Sequence, residues 1–133
     1  MNYLLDTHTF LWAIADSGKL PKPAREIIVS PENEIYISAV TFWEIGIKSR
    51  LGKLDLGNLA PEQLVSIAEE MEFQTISLTA EEASTYSRLK ETHHKDPFDR
   101  MLVWQAIQRN FVIISKDRKF AKFEPFGLKI SWD

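Results

Sequence analysis

"PFDRMLVWQAIQRNFVIIS", residues 97–115, joins two apolar patterns of different period. In its first part, apolar residues recur at Phe98, Met101, Leu102 and Ile107, the spacing of one face of a helix. Proline opens the stretch, where a helix tolerates it because the first N–H has no partner within the helix. Asn110 closes it, and asparagine accepts the left-handed conformation of a C-terminal cap. The next five residues, "FVIIS" at 111–115, are almost continuously apolar and β-branched. A strand of that composition is buried on both faces, as in a parallel sheet. A helix running straight into such a strand is half of an α/β unit.

Four further runs resemble that strand: "NYLLD" at 2–6, "EIYISA" at 34–39, "QTISL" at 74–78 and "LKISW" at 128–132. Helical patterns lie between them: "THTFLWAIAD" at 7–16, "LPKPAREIIVS" at 20–30, "SAVTFWEIGIKSRLGKL" at 38–54, "APEQLVSIAEEM" at 60–71 and "TAEEASTYSRLKETH" at 79–93. Thr79 followed three residues later by Glu82 forms a capping box. The alternation predicts a mainly parallel sheet covered on both faces, in one α/β domain over residues 1–133. No internal repeat or linker interrupts it.

The 133 residues are 44% hydrophobic and 26% charged, ordinary values for a globular chain. No apolar run approaches the ~20 residues of a membrane span. "MNYLLDTHTF" has no basic segment, so no signal peptide and a cytoplasmic location are expected. There is no cysteine, which excludes disulfides, thiolate zinc sites and cysteine nucleophiles. The formal net charge of −3 argues against tight nonspecific nucleic-acid binding. It leaves room for an enzyme that meets nucleic acid through a metal and a few local cations.

Sites in open α/β sheets form beyond the carboxyl ends of the strands. Asp6 ends the first strand, Glu44 lies in the second turn of the helix after "EIYISA", and Asp117 follows "FVIIS". Asp99 lies in the first turn of the helix that feeds that strand. Each has a purely structural reading. Asp6 and Asp117 can cap helical segments, Asp99 can favour the helix dipole, and Glu44 can pair with Lys48. Together they read differently. Clustered carboxylates repel, and a hard divalent cation such as Mg²⁺ offsets that repulsion. Such an ion assists phosphodiester hydrolysis. No Ser-His-Asp-like spacing, glycine-rich phosphate loop or Walker motif competes with this reading.

The blocks "NYLLDTHTFLW", "ISAVTFWEIGIKSRLGKL", "HKDPFDRMLVWQA" and "VIISKDRKF" resemble, in order and over essentially the whole chain, the motifs of PIN-domain ribonucleases, specifically the VapC-type toxins of toxin–antitoxin pairs. The resemblance implies a three-layer α/β/α sandwich. It also implies an endoribonuclease dependent on Mg²⁺ or Mn²⁺, silenced by a VapB-type antitoxin and paired with itself within a larger complex. It makes Asp6 and Asp99 metal ligands, with Glu44 and Asp117 completing the site directly or through water. Two other readings stand beside it: a catalytically idle binding partner on the same fold, and a receiver-like Mg²⁺-binding signalling module. The latter lacks a phospho-acceptor aspartate in "EIYISAVTF" or "QTISLTAEE".

Neighbouring residues complete the expectation. Asp96 before Pro97 is placed to cap the helix and so to aim Asp99. Thr7 and Ser115 can hold an acid or a water, and His8 can line the cleft. Arg100 and Lys116 read as surface ion pairs or, alternatively, as contacts to substrate phosphate. His93 and His94 read as solvated residues at a helix end or, alternatively, as metal ligands or general acids, the ligand reading being weakened by the preference of Mg²⁺ for oxygen. Trp12, Trp43 and Trp104 read as core or subunit interface. Lys48, Arg50 and Lys53 read as a solvated basic cluster or an RNA-facing edge.

Overall fold

The structure, a computed structural model, describes residues 1–133. Its strands are β1 (Asn2–Leu5), β2 (Glu34–Ser38), β3 (Gln74–Ile76), β4 (Val112–Ile114) and β5 (Lys129–Ser131). The helices are α1 (Thr7–Ala15), α2 (Lys22–Val29), α3 (Ala39–Arg50), α4 (Gln63–Glu70), α5 (Ala80–Thr85) and α6 (Pro97–Arg109). The sheet order is β3-β2-β1-β4-β5, and every pair is parallel. Tyr3 stands opposite Ile35 on one side and Val112 on the other.

Alternation along the strands builds two cores. Tyr3, Leu5, Ile35, Ile37, Val112 and Ile114 face one side, with Phe10 of α1, Ala24 of α2 and Leu64 and Ala68 of α4. Leu4 and Ile113 face the other, with Leu102, Val103 and Ala106 of α6 and with Phe120 and Phe123 of the 3-10 segment Arg118–Phe126. α3 contributes Ile45 to the first core and Val40 to the second. The result is the expected α/β/α sandwich. No helix is long and apolar enough to cross a membrane.

Local signals set the element boundaries. Asp96 Oδ1 accepts from the N–H groups of Phe98 and Asp99, at 2.9 and 3.1 Å, and Pro97 takes the first helical position of α6. Asn110 ends that helix with φ +58°, and the chain enters β4 two residues later. Thr79 and Glu82 make the reciprocal capping box of α5.

One helix is shorter than its pattern. The sequence predicts helix throughout 79–93, but α5 ends at Thr85 and a single 3-10 turn covers Tyr86–Arg88. The cause is Arg100. Its guanidinium donates to the carbonyls of Leu89, Glu91 and His94, at 2.9, 2.7 and 2.9 Å. The Glu91 carboxylate accepts from the His93 and His94 N–H groups at 2.8 and 2.9 Å. Side chains thus take the backbone groups a helix would have paired internally.

Candidate active site

Strand order reverses direction between β1 and β4, because the chain builds outward from β1 through β2 to β3 and then crosses back to β4. That switch point opens a crevice beyond the carboxyl ends of the two strands. Asp6 is the first residue after β1, and Ser115 is the first after β4. Asp6 is buried. Its Oδ1 caps α1 by accepting from Thr9 N–H at 2.9 Å, and its Oδ2 accepts from Ser115 Oγ–H at 2.5 Å. Ser115 Oγ in turn accepts from Asp117 N–H at 3.0 Å. Burial raises the Asp6 pKa, against the pull of its Ser115 and Thr9 hydrogen bonds and of His8. Asp6 therefore both caps a helix and presents a desolvated carboxylate at the switch point.

Thr7 carries the site toward α3. Its Oγ1–H donates to Glu44 Oε1 at 2.6 Å, and Thr41 Oγ1 stands 3.3 Å away. Glu44 is buried, and its Oε2 pairs with Lys48 one turn on. Glu44 thus has the pair with Lys48 but not the solvated face that would have made the pair trivial.

Asp99 projects from the first turn of α6 and is a quarter exposed, 24%. Its Oδ2 lies 3.0 Å from His94 Nε2. Desolvation and then the Asp96 charge push its pKa up to about 6. His94 works against them, and Glu44 adds to the rise. Asp99 and Glu44 therefore sense one another electrostatically, and Asp96 and Asp99 both act on Lys48. Asp117 caps the 3-10 segment through Lys119 N–H at 2.9 Å and lies on the crevice wall.

The crevice widens into an open groove of about 1040 Å³. Asp6, His8, Trp12, Lys116, Asp117 and Arg118 are among the residues that line it; Glu44 and Asp99 are not. The Trp12 ring faces Lys116 Nζ at 5.6 Å and His8 at 6.0 Å. Lys116 is thus a groove cation stacked on an aromatic ring and not an ion-pair partner of Asp117.

Several expectations need correction. Arg100 is neither a surface ion pair nor placed for phosphate, because five donor contacts tie it to residues 86–94. His94 is buried, with its ring 5.6 Å from Phe120 and 5.5 Å from Phe123, and is not solvated. His93 is exposed as expected. Trp104 is buried, whereas Trp43 is 60% exposed and packs edge-on against Phe98. Sequence reasoning missed the His94–Asp99 contact. Its only local signal was the five-residue separation, since the residues that bury His94 lie more than twenty positions downstream.

Beside the imidazoles of His8 and His94, the donors around the crevice are carboxylate and hydroxyl oxygens, the kind a hard divalent cation takes. No three His, Asp or Glu side chains are gathered closely enough to hold an ion as they stand. Mg²⁺ does not require that, since it usually binds through one or two carboxylates and keeps several waters. The raised pKa values of Asp6 and Asp99 mark carboxylates that a cation would stabilise. In donor chemistry the residues fit such an ion.

Comparison with known proteins agrees with the fold. Ribonuclease VapC22 of Mycobacterium tuberculosis (strain ATCC 25618 / H37Rv) is 26% identical over 116 residues, 87% of each chain. A chain in the crystal structure of VapBC2 from Rickettsia felis, bound to a DNA fragment from its promoter, superposes with a TM-score of 0.71 at 20% identity, covering 100% of both chains. A chain of VapBC-1 from nontypeable Haemophilus influenzae gives 0.67 at 20% identity, covering 98% of this chain and 97% of that one. The PIN domain family matches residues 3–124, nearly the whole length, and the chain belongs to that family.

Proposed function

We propose that the protein is a metal-dependent endoribonuclease, the toxin of a toxin–antitoxin pair, acting in the cytoplasm. The observation that carries the reading is Asp6. It is a buried carboxylate with a raised pKa at the topological switch point of a PIN-domain chain, and it opens onto a groove. The 26% identity to a ribonuclease over 87% of the chain supports the substrate class. The solved VapBC structures support a protein antitoxin as partner. Residues 1–133 act in this reading as one PIN domain.

Asp6 and Asp99 hold the cation, Mg²⁺ or Mn²⁺, with Glu44 and Asp117 contributing directly or through water. When bound, the ion supplies charge neutralisation for phosphodiester hydrolysis. The chain's own residues do the positioning. Ser115 and Thr9 fix both oxygens of Asp6, Thr7 fixes Glu44, and His94 fixes Oδ2 of Asp99. Asp96 sets where α6 begins and hence where Asp99 stands. Lys116 and Arg118 offer cations along the groove for phosphates flanking the scissile bond.

A second surface suits self-association. Val40, Trp43, Leu78, Tyr86, Phe98 and Met101 line an apolar groove of about 250 Å³ between α3, α5 and α6. An exposed tryptophan at its rim is the residue type enriched in protein interfaces. A homodimer through this face, inside a larger complex with antitoxin, follows. The test is expression in cells with sequencing of RNA ends. New ends that appear with wild type and vanish with Asp6→Asn are expected. An unchanged pattern in the two strains would refute the activity.

A further inference from the structure

We infer that Lys48 is the built-in counter-ion of the acid site: it neutralises Glu44 while no metal is bound and must release Glu44 when a divalent cation enters. The inference rests on the metal-dependent reading of the same site. It starts from placement. Lys48 stands one turn after Glu44 on α3, and its Nζ pairs with Oε2 of that buried carboxylate. The other oxygen, Oε1, is held by Thr7, next in sequence to Asp6. Lys48 is therefore two side chains removed from the crevice floor.

The charges around it point the same way. Glu44, Asp96 and Asp99 all act on its ammonium, so one cation serves three carboxylates. A buried carboxylate without a partner is costly, and Thr7 supplies a hydrogen bond but no charge. Lys48 supplies the charge. Its side chain is 35% exposed, and a lysine stem is long and flexible, so the ammonium can swing into water without disturbing α3. Glu44 is 3% exposed and cannot do so. The mobile partner of the pair is the lysine. A divalent ion and an ammonium compete for the same carboxylate oxygens, which makes Lys48 a determinant of metal affinity and not a basic contact for RNA.

The test measures metal binding directly. Mn²⁺ is titrated into wild type, Lys48→Met and Lys48→Arg, with free Mn²⁺ followed by paramagnetic resonance. Removing one unit charge beside the site should tighten Mn²⁺ binding about tenfold in Lys48→Met and leave Lys48→Arg close to wild type. In wild type, lysine acylation read by mass spectrometry should be slow at Lys48 without metal and at least several-fold faster at saturating Mg²⁺. This second readout stands if Lys48→Met fails to fold. Equal or weaker Mn²⁺ binding by Lys48→Met, or acylation unaffected by Mg²⁺, would overturn the inference and leave the metal-dependent reading intact. No Mn²⁺ bound by wild type at millimolar concentration would overturn both.

Discussion

Replacing Asp99 by asparagine should stabilise the metal-free protein while abolishing its activity. The carboxyl pKa is raised from 3.8 to about 6, because desolvation and the neighbouring Asp96 charge disfavour the ionised form. The folded state therefore holds this proton more tightly than the unfolded state does. Its contribution to stability is complete below pH about 4 and is lost as pH rises through about 6. A rise from 3.8 to about 6 sets an upper limit near ~3 kcal/mol. The side chain is 24% exposed, so solvent reduces the figure, and the neutral amide of the variant forfeits ~0.3–1 kcal/mol of helix-dipole interaction. A net gain of about 1–2 kcal/mol remains, or roughly 4–7 °C in Tm for a chain of this length. Thermal unfolding of wild type and Asp99→Asn from pH 4 to pH 8, in chelator, reads it out. The two proteins should melt together near pH 4 and separate above pH 6, with the variant higher. Saturating Mg²⁺ should raise wild type alone, by about 2.7 kcal/mol at one hundred times its Kd, which exceeds the gap and places wild type above the variant. A variant that melts below wild type at pH 8 would refute the reasoning, because it would make Asp99 a stabilising ion.

Three other outcomes follow from the same structure. Asp96→Asn keeps an oxygen able to cap α6, so it should retain more activity than Asp99→Asn in an RNA cleavage assay; equal loss would place Asp96 in the site itself. Glu82 resists burial through hydrogen bonds from Arg109, Gln105 and Thr79 that bring its pKa to about 2. Its contribution is present above pH about 4.5 and lost as pH falls toward 2, so Glu82→Gln should cost about 2 kcal/mol in denaturant unfolding at pH 7 and almost nothing at pH 2. Trp43→Glu should convert a dimer to a monomer by light scattering without changing Tm by more than a few degrees; an unchanged mass would move the interface elsewhere.

Much of the fold is legible locally. β1, β2 and β4 stand out because their residues are apolar on both alternating sets, the composition of a doubly covered sheet, while the edge strands β3 and β5 mix apolar with polar residues. Caps are equally local: Asp96 with Pro97, Thr79 with Glu82, and Asn110 each act on backbone groups within four residues. The acids were legible because their positions follow from strand ends and the switch-point rule, which needs topology but no side-chain packing. What escaped depends on contacts between distant segments. Arg100 reads as one more cation beside an acid until residues 89–95 fold back over it. His94 reads as polar until Phe120 and Phe123 close around it. Trp43 fits an apolar stripe, yet α3 straddles the edge of both cores and leaves that ring outside. The hydrogen bond from Thr7 to Glu44, which ties α1 to α3, spans 37 residues and has no sequence signature.

The central claim is that Asp6 and Asp99 make this PIN domain a metal-dependent ribonuclease. The most direct measurement is cleavage of total RNA by the purified, antitoxin-free protein with Mg²⁺ or Mn²⁺, beside the same reaction in chelator and beside Asp6→Asn and Asp99→Asn. Cleavage by wild type that chelator abolishes and each substitution reduces by at least ~100-fold is the expected result. Cleavage that persists in chelator, or variants that cut RNA as fast as wild type, would contradict it.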